Sequence, residues 1–401
     1  MLARPPYSPT IEATQLLVVG GGPVGLFAAL SAARRGLDVI VLEQNFRGYS
    51  SGYVSVLHPS SIELLVNVGL KEELHRAGQL VDHVQLHPDC VNAKRLELER
   101  PALTIAQSVL ESLLLKALRE EGVEIRSPHR VTAIVQDGRR VVARVERREL
   151  VTIGSPAQYT EWEPIASTEV RADFVIGADG YESQIRHALG IETITAGPTE
   201  TFAMFEGAGG GPYELELDFR TELGSGVLPL PSQRARWGFQ LDSDFTLTPD
   251  LEHLRALLAD RAPWHKRVPE RVDWSTVTHF ERRLASSFGY GRVWLAGDSA
   301  HVTSPFGGQS MNGGLLEAHE FVTCMADCIS GARSPEALTS VAIDREREWQ
   351  QLVGLKLNLE TTPAAPKWVA VLAHRIVSGL PASGRDLSAL LRQLGLIGYG
   401  Q

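Results

Sequence analysis

The chain has 401 residues, of which 43% are hydrophobic and 22% charged, and its formal net charge at pH 7 is −9. This composition is typical of a globular protein that is long enough for two or three domains with substantial cores. Because no block of basic residues stands out in this acidic chain, we expect no nucleic-acid partner.

The cysteines and the N-terminal segment narrow the class of protein further. Three cysteines (Cys90, Cys324 and Cys328) make no disulfide framework, and no histidine cluster accompanies the pair at 324 and 328, so we expect buried thiols and no metal site. Residues 1–13, with three prolines, are predicted to be a flexible tail. Neither a signal segment nor a membrane-spanning apolar run is evident, which favours a cytoplasmic protein without a membrane partner.

The first predicted unit is a strand, a glycine turn and a helix. Residues 15–19 are apolar enough for a buried strand, and the pattern G-x-G-x-x-G follows at Gly20, Gly22 and Gly25. Gly20 permits the tight turn, Gly22 lets a pyrophosphate approach the backbone, and Gly25 lets the helix press on the strand. Pro23 suits the first helical turn, where its missing N–H is not needed.

A second strand completes a predicted cradle for an adenine dinucleotide. Residues 38–42 form this strand, and Glu43 follows it, 18 residues beyond Gly25, where an acid is expected to bind ribose hydroxyls. In the polar loop after it, Arg47 would contact the pyrophosphate or a substrate anion, or simply face solvent. This region does not distinguish NAD from FAD. The cofactor-binding candidates here are Gly20, Gly22, Pro23, Val24, Gly25, Glu43, Gln44 and Arg47.

The next segments are predicted to leave this unit and return to it. Residues 59–74 are expected to form one helix, and residues 81–98 contain short strands of a separate sheet. Residues 103–118 re-enter the first unit and begin a helix whose first turn contains Gln107. We expect Gln107 either to face the cofactor or to be an ordinary surface glutamine.

A small antiparallel meander is predicted to take the place of a crossover helix. It comprises a strand at residues 123–126, a hairpin at residues 131–145 with an Asp-Gly turn, and a strand at residues 168–171. Residues 149–164 are expected to be a long irregular link inside it. Val131, at the start of the hairpin, is a further cofactor-binding candidate.

A second unit of strand, acidic glycine turn and helix follows the meander. The strand at residues 173–178 ends in Asp179-Gly180, and Arg186 follows within two helical turns. Asp179 is expected either to accept hydrogen bonds from backbone N–H groups around the first glycine turn or to cap its own helix. Arg186 is expected either to bind the pyrophosphate or a nicotinamide nucleotide, or to have a structural role.

A third unit has the same design near residue 298. Residues 293–296 form a short apolar strand, and Asp298 follows at its carboxyl end, where open α/β sheets bind ligands. A loop at residues 305–308 precedes a helix that begins at Gln309, and the N-terminus of that helix would face whatever Asp298 contacts. A carboxylate suits a polyol hydroxyl, and a helix N-terminus suits a ring that gains negative charge on reduction. A flavin nucleotide has both groups.

These three units together resemble a known family. The glycine turn with its glutamate, the Asp-Gly turn at 179 and the Gly-Asp turn at 297 resemble the triple signature of FAD-dependent aromatic hydroxylases of the para-hydroxybenzoate hydroxylase type. The resemblance covers nearly the whole chain. It implies that Glu43 binds the adenosine ribose, Asp298 the ribityl chain and residues 308–312 the flavin ring, with Gln107 also in contact with the cofactor. The candidates in the third unit are Gly297, Asp298, Pro305, Gly308, Gln309, Ser310, Met311 and Asn312.

The resemblance also implies the fold. We expect a mixed α/β (α+β) protein in which a Rossmann-like FAD-binding domain of the glutathione-reductase type is interleaved with an antiparallel substrate sheet and followed by C-terminal helices. The expected ranges are 14–78, 103–188 and 289–330 for the FAD-binding domain, 79–102 and 189–288 for the substrate sheet, and 331–401 for the helices.

The substrate sheet should provide the wall of an aromatic-binding pocket. Its candidate wall residues are Met204, Leu228, Trp237 and Phe239, each with ordinary core packing as the alternative. The activity that the resemblance implies is hydroxylation of an aromatic or polyketide-like small molecule. NADPH or NADH would reduce FAD, O2 would form a flavin C4a-hydroperoxide, and the ring would take one oxygen atom. No catalytic side chain is assigned, and a monomer or homodimer is expected.

Two alternative functions share the same cradle. One is a flavin-dependent halogenase, although the Trp-x-Trp-x-Ile-Pro motif and the reactive lysine of that group are missing from the sequence. The other is a flavoprotein that binds its ligand without hydroxylating it. Departures from the family pattern at Gly52, Tyr53 and Ser310 are compatible with this second alternative.

Overall fold

A computed structural model describes residues 11–45, 54–88, 93–153, 159–209, 212–219, 223–242 and 249–400. The strands of this described part are β1 (Ile11–Val19), β2 (Val39–Leu42), β3 (Val54–Leu57), β4 (Gln79–His87), β5 (Lys94–Ala106), β6 (Glu124–Arg126), β7 (His129–Gln136), β8 (Val141–Ile153), β9 (Tyr159–Gly177), β10 (Thr193–Thr195), β11 (Glu200–Ala208), β12 (Glu216–Asp218), β13 (Ser225–Leu230), β14 (Arg234–Leu241), β15 (Arg271–Phe280), β16 (Arg283–Ala285), β17 (Gly289–Tyr290), β18 (Val293–Leu295), β19 (His301–Val302), β20 (Glu360–Thr361) and β21 (Leu396–Ile397). The helices are α1 (Pro23–Ala33), α2 (Pro59–Asn67), α3 (Lys71–Ala77), α4 (Gln107–Glu120), α5 (Gln184–Ala188), α6 (Leu251–Arg261), α7 (Gln309–Ile329), α8 (Ala337–Leu352), α9 (Lys367–Gly379) and α10 (Gly384–Gln393).

The first sheet contains the three predicted strand-and-turn units. Its order is β17-β18-β9-β1-β2-β6, and the strands from β18 to β6 run parallel. Val19 lies beside Gly177, and Gly177 lies beside Leu295, so the carboxyl ends of β1, β9 and β18 meet at one edge of the sheet. Helix α1 packs against α4 and α7. A mixed α/β fold with a Rossmann-like sheet is therefore confirmed.

The meander of this sheet is longer than predicted. Strand β8 pairs with β9 from Val141 opposite Ala172 to Ile153 opposite Tyr159. The described parts of residues 149–164 are therefore strand, and the expectation of an irregular link was wrong. Charged residues such as Arg147, Glu149 and Glu163 interrupt the apolar alternation that normally reveals a strand, and backbone pairing rather than core burial holds this segment.

The second sheet has the order β15-β11-β14-β13-β12-β4-β5-β3 and is antiparallel except between β12 and β4. Residues 103–106, predicted to begin a helix, instead end β5 and pair with β3, so the helix begins only at Gln107. The single helix predicted at residues 59–74 is two helices, because Gly69 has a φ of +74° between them.

The second sheet separates two hydrophobic clusters. The outer cluster contains Trp237, Phe239 and Phe205 and packs against Leu254 and Leu258 of α6. The inner cluster is continuous with the core of the first sheet. The faces differ because successive residues of a strand point to opposite sides.

Helices occupy most of the C-terminal part, as the sequence indicates. Helix α8 packs against α7 and α9, and α10 packs against β5. None of the helices in the described ranges combines the length and hydrophobicity needed to cross a bilayer.

Candidate functional site

The glycine turn after β1 joins the first unit to the second. Gly20 has a φ of +110°, and a Cβ placed there would lie 2.1 Å from the carbonyl oxygen of Ala178. A Cβ on Gly25 would lie 2.1 Å from the carbonyl oxygen of Gly20. Gly22 differs, because a Cβ there would meet nothing within 4 Å. Gly20 and Gly25 are therefore required by the fold, whereas Gly22 borders open space that a ligand can occupy.

The first unit also contacts the third. The Val24 side chain packs against Gly297, where an added Cβ would lie 3.1 Å from a Val24 methyl group, and against Gly314 of α7. Pro23 occupies the first turn of α1, as expected from its missing N–H. The turns after β1, β9 and β18 therefore form one continuous site rather than three separate clefts.

Glu43 ends β2 with its carboxylate turned toward the glycine turn. One carboxylate oxygen accepts a hydrogen bond from the Gly21 N–H at 2.7 Å, and the other accepts one from the Asn45 N–H, also at 2.7 Å. Gln44 is half-buried beside it. The Glu43 carbonyl oxygen accepts a hydrogen bond from the His129 N–H at 2.7 Å, which fixes the start of β7 beside the end of β2.

Two other cofactor-binding candidates of this region are Val131 and Arg47. Val131 lies two residues after His129 on β7, pairs with Val145 and is buried, and it is not among the residues that line the cavity between the two sheets. Arg47, together with Gly52 and Tyr53, lies outside the described residues.

Asp179 caps its own helix. Its carboxylate accepts hydrogen bonds from the Ser183 hydroxyl at 2.5 Å and from the N–H groups of Gln184 at 2.7 Å and Ile185 at 3.1 Å. Desolvation raises the pKa of this carboxyl, although these hydrogen bonds oppose the rise. Of the two roles predicted from the sequence, the structure favours the helix cap.

Arg186 is buried, and its hydrogen bonds connect the turn after β9 with the turn after β18. Its guanidinium donates to the carbonyl oxygens of Ser299 at 2.9 Å and Tyr181 at 3.0 Å, and the residue is only 3% exposed. This placement favours a structural role over contact with a nicotinamide nucleotide. It stabilises the two acidic turns relative to each other.

Asp298 is the acid that faces an open cavity. Its carboxylate has no hydrogen-bond or ion-pair partner among the described residues, and it lines the cavity between the two sheets. Asp298 is exposed to the cavity rather than packed against other side chains, yet protein atoms surround the cavity, and the resulting desolvation raises the pKa of its carboxyl. A carboxylate in this position can accept hydrogen bonds from ligand hydroxyl groups.

The 303–308 loop and the start of α7 form the floor of the cavity. Gly308 is the N-cap of α7 with a φ of +64°, and it lines the cavity together with Pro305, Ser310 and Met311. The Ser310 hydroxyl accepts a hydrogen bond from the Thr303 N–H at 3.1 Å. An α7 N-terminus beside the cavity favours negative charge on a bound ring.

Two residues predicted to meet the flavin use their side chains inside the protein. The Gln309 amide donates to the carbonyl oxygens of Leu380 at 2.8 Å and Ala382 at 3.1 Å. The Asn312 amide donates to the Val56 carbonyl oxygen at 2.6 Å. Both side chains are buried, and neither residue is among those that line the cavity, so these residues hold the loop in place.

Glu317, on α7, holds the turn after β18 in place. Its buried carboxylate accepts hydrogen bonds from the Gly297 N–H at 2.9 Å, from Nε2 of His301 at 2.7 Å and from the Trp349 indole at 2.6 Å. The His301 ring also stacks on Trp349 with centroids 3.4 Å apart. His301 therefore has a structural role.

A cavity of about 460 Å³ lies between this floor and the inner face of the second sheet. Its lining residues are Gln107, Met204, Leu228, Arg236, Trp274, Thr276, Val277, Thr278, Phe280, Asp298, Val302, Thr303, Ser304, Pro305, Gly308, Ser310 and Met311. Gln107 reaches it from the first turn of α4 and donates a hydrogen bond to Glu111 at 2.8 Å. A wider but shallower groove, near Arg126 and Trp162, is lined mainly by charged and polar residues of the meander.

Two of the four predicted wall residues face this cavity and two do not. Met204 and Leu228 line it, whereas Trp237 and Phe239 are buried in the cluster on the outer face, so their assignment to the pocket was wrong. Arg236 is adjacent to Trp237 on β14, and strand alternation turns Arg236 inward.

Several residues that line the cavity are not among the candidates identified from the sequence. They are Arg236, Trp274, Thr276, Val277, Thr278, Phe280, Val302, Thr303 and Ser304. Alternation on β14 would have identified the first of these once the inward face was known. The sequence gives the period of a strand but not its absolute orientation.

Comparison with known proteins agrees with this geometry. Residues 13–355 match the FAD binding domain family. The chain belongs to this family. The features needed for FAD are present: the open space at Gly22, Glu43 at the end of β2, the Asp298 carboxylate in the cavity and the α7 N-terminus beside it. Among the described residues, no group of three or more histidine, cysteine or acidic side chains could hold a metal ion.

Two of the similar proteins are named as monooxygenases. The chain is 27% identical over 378 residues to para-nitrophenol 4-monooxygenase of Pseudomonas sp. (strain WBC-3), a match that covers 88% of this chain and 87% of the relative. It is 26% identical over 352 residues to 6-methylpretetramide 4-monooxygenase of Streptomyces rimosus, covering 84% of this chain and 60% of that protein's length.

A solved structure has the same fold. The crystal structure of p-nitrophenol 4-monooxygenase from Pseudomonas putida DLL-E4 superposes with a TM-score of 0.72 at 22% identity, covering 96% of this chain and 94% of the other.

Proposed function

We propose that this protein is an FAD-dependent monooxygenase that hydroxylates an aromatic or polyketide-like small molecule with NAD(P)H and O2. In the balanced reaction, the ring C–H and O2 with NAD(P)H and a proton give the ring C–OH, NAD(P)+ and water. The bound flavin would supply the redox chemistry. The proposal also includes a cytoplasmic location, where NAD(P)H is available, and a monomer or homodimer.

One observation supports this function above others, namely the cavity that lies between the FAD-binding loops and the inner face of the second sheet. One side has Asp298 and the α7 N-terminus, and the other has Met204, Leu228 and Trp274. A flat ring enclosed between these sides would be separated from bulk water, as oxygen transfer to an aromatic ring requires. Two of the relatives are named para-nitrophenol 4-monooxygenase and 6-methylpretetramide 4-monooxygenase, and these names are consistent with the proposal.

The protein side chains would bind and orient rather than react covalently. Glu43 would accept hydrogen bonds from ribose hydroxyls, and Asp298 would accept them from the flavin side chain. The α7 N-terminus would favour an anionic reduced ring by about 0.3–1 kcal/mol, and by more if water is excluded. No nucleophilic side chain is required for this chemistry.

The test is turnover by the purified protein. We expect a yellow protein whose extracted cofactor is FAD, and NAD(P)H oxidation that accelerates with some members of a panel of phenols, hydroxyquinolines and polycyclic hydroxyaromatics. Mass spectrometry should show a product with one added oxygen atom that derives from ¹⁸O₂. NAD(P)H oxidation that produces only hydrogen peroxide with every compound would contradict the proposal and favour a flavoprotein that binds its ligand without hydroxylating it.

A further inference from the structure

The inner face of the second sheet has a gap in one row of side chains beside the cavity. Met204 on β11 pairs with Gly238 on β14, and Gly238 pairs with Gly226 on β13. Gly226 in turn pairs with Leu217 on β12. The two glycines therefore leave the middle of this row without side chains. Met204 lines the cavity, so the gap adjoins the cavity wall.

The ring of Phe306, from the 303–308 loop, fills this gap. A Cβ placed on Gly226 or on Gly238 would lie 3.0 Å from a ring carbon of Phe306, and one placed on Gly224 would lie 3.4 Å from it. We call these three glycines the glycine slot. Carbon atoms pack at about 3.5–4.0 Å, so a methyl group on Gly226 or Gly238 would displace the ring. Phe306 is only 3% exposed, so the ring is enclosed in its place.

The backbone does not require glycine at the two slot positions within strands. Gly226 on β13 and Gly238 on β14 are not among the glycines with positive φ, so an L side chain would suit their backbone. Glycine weakens a strand, and it often marks a place where another part of a structure approaches closely. Phe306 makes that close approach. The two glycines are therefore explained by the side chain that they receive.

A second contact relates Phe306 to the cavity wall. The Phe306 ring meets Phe202 edge to face with the ring centroids 5.3 Å apart, and Phe202 meets Phe280 in the same manner at 5.6 Å. Phe280 lines the cavity. One residue, Phe202, therefore lies between the Phe306 ring and the cavity wall on this side.

The rest of the loop belongs to the proposed flavin site. The Gly307 carbonyl oxygen lies 2.7 Å from Nε2 of His58, which holds the loop on the side opposite the slot. Pro305 and Gly308 line the cavity on either side of these contacts. Phe306 therefore attaches the loop that would meet the flavin ring to the sheet that would meet the substrate.

We propose that Phe306 is a positioning residue whose fit in the glycine slot sets the place of the flavin-facing loop relative to a ring in the cavity. Its role in hydroxylation rests on the proposed function, whereas its role in placing the flavin rests on FAD binding alone. A misplacement of about 1 Å between reacting groups can slow a reaction about a hundredfold. NAD(P)H oxidation would then be diverted: NAD(P)H, O2 and a proton give NAD(P)+ and hydrogen peroxide.

The first measurement needs no substrate. The visible circular dichroism of bound FAD reports how the flavin ring is oriented in its site. Phe306→Ala and Gly238→Ala should each alter this spectrum, because the first frees the loop and the second pushes the ring out of the slot. Both variants should still bind FAD, since Glu43 and Asp298 are unchanged. Loss of FAD binding as complete as that expected for Asp298→Ala would count against a positioning role.

The second measurement is the fraction of oxidised NAD(P)H that appears as hydroxylated product. Its substrate is the member of the panel of phenols, hydroxyquinolines and polycyclic hydroxyaromatics that gives the wild type its highest yield. Phe306→Leu and Gly238→Ala should each lower this fraction at least about twofold, with hydrogen peroxide making up the difference. The double variant should recover part of the loss, because the smaller side chain leaves room for the added methyl group.

Phe205→Leu is the matched control. Phe205 is fully buried and lies next to Met204 on β11, but it packs against Phe239 in the outer cluster, on the opposite face of the sheet. Its loss should lower the unfolding midpoint and leave the dichroism and the product fraction unchanged. An unaltered spectrum in Phe306→Ala, equal effects in Phe205→Leu and Phe306→Leu, or a double variant no better than the poorer single variant would overturn the proposal.

These outcomes are separable from those of the proposed function. If the wild type hydroxylates no compound of the panel, the oxygenase proposal fails, and the dichroism of the ligand-free variants still decides the role of Phe306. If Phe306→Ala hydroxylates with the wild-type yield, the oxygenase proposal stands and the positioning role is excluded.

Discussion

Glu43 has its carboxylate held before any ligand arrives. Both of its oxygens accept backbone N–H groups, from Gly21 and Asn45, so the side chain has one orientation at the end of β2. A fixed acceptor loses little conformational entropy when a ribose hydroxyl binds to it. The same carboxylate also ties the glycine turn to β2, so its role combines local order with binding.

Replacement of Glu43 by alanine should therefore weaken FAD binding. We expect the dissociation constant of FAD to rise about tenfold to hundredfold, since a hydrogen bond to a charged group contributes about 1.5–3 kcal/mol. Titration of apoprotein with FAD, followed by flavin fluorescence, measures this constant. Glu121→Ala, which removes a half-exposed partner of Arg34, serves as the control. An unchanged constant in Glu43→Ala would exclude the residue from the site.

His58 links the 303–308 loop to the C-terminal segment. Its Nε2 lies 2.7 Å from the Gly307 carbonyl oxygen, its Nδ1 is hydrogen-bonded to Ser383, and the ring is fully buried. The Gly307 carbonyl accepts from Nε2–H, so a neutral ring can accept at Nδ1 from the Ser383 hydroxyl. Burial lowers the pKa of His58 from 6.5 to about 4, because desolvation outweighs the favourable contribution of the Gly307 carbonyl.

This lowered pKa predicts a specific loss of stability in acid. Above pH 6.5 the ring is neutral in both the folded and unfolded chains, so its contribution is constant. As the pH falls from 6.5 toward 4, the unfolded chain takes up a proton that the folded chain does not, and stability falls by about 3 kcal/mol. The thermal unfolding midpoint should decline less steeply over this window in His58→Gln than in the wild type.

At the scale of elements, the turn after β1 separates glycines needed for folding from a glycine needed for binding. Gly22→Ala should fold with an unchanged apoprotein midpoint, because an added Cβ meets no protein atom within 4 Å, yet it should bind FAD at least about tenfold more weakly by blocking the pyrophosphate. Gly20→Ala should lower the apoprotein midpoint itself, since its Cβ would lie 2.1 Å from the Ala178 carbonyl oxygen. Thermal scans with and without FAD measure both effects. A lowered apoprotein midpoint in Gly22→Ala would contradict the assignment.

Elements with strong local signals could be predicted from the sequence. The apolar run before Gly20 predicts β1, and Pro23 predicts the start of α1. The short apolar run before Asp298 predicts β18 in the same way. The three turns could be placed together because parallel strands bring their carboxyl ends to one edge. The backbone of the three turns therefore follows from local pattern and the parallel pairing of their strands.

Side-chain directions could not be predicted in the same way. Trp237 and Arg236 are neighbours on β14, and only the packing of α6 on one face decides which of them points inward. Gln309 was expected to meet the flavin, but its amide bonds to carbonyl groups about 70 residues later, a contact that no local pattern encodes. The β8–β9 pairing was missed because strand pairing can hold polar segments that lack apolar alternation.

At the scale of the whole molecule, the C-terminal segment is part of the FAD-binding architecture. The Gly307 backbone lies against Ser378 so closely that an added Cβ would be 2.1 Å from its carbonyl oxygen, and Gln309 and His58 bond to the segment that follows α9. The loop proposed to meet the flavin is thus held between the first sheet and a segment distant in sequence. Stability of the site and stability of the fold should therefore be coupled.

This coupling predicts a large stabilisation by FAD that depends on Asp298. A ligand that binds only the folded chain stabilises it by about 4 kcal/mol at about 1,000 times its dissociation constant. The unfolding midpoint of the wild type should therefore rise with FAD concentration. Without FAD, Asp298→Ala should have at least the wild-type unfolding midpoint, since the substitution removes a desolvated carboxylate with no described partner. The variant should lose most of the FAD-dependent rise in the midpoint, and it should purify nearly colourless.

The control for this comparison is an acidic residue on α7, the helix that follows the turn with Asp298. Asp327→Ala removes an exposed partner of Arg333 at the far end of α7 and should keep the full FAD increment. An Asp298→Ala protein with full flavin occupancy and a wild-type increment would show that the carboxylate faces the cavity without holding the cofactor. A reduced midpoint in the absence of FAD would show instead that Asp298 stabilises the turn itself. Asp298 is assigned to FAD binding only if the variant loses the FAD-dependent rise in the midpoint and keeps the midpoint measured without FAD. That rise reflects the free energy of FAD binding, because FAD stabilises the folded chain that it binds.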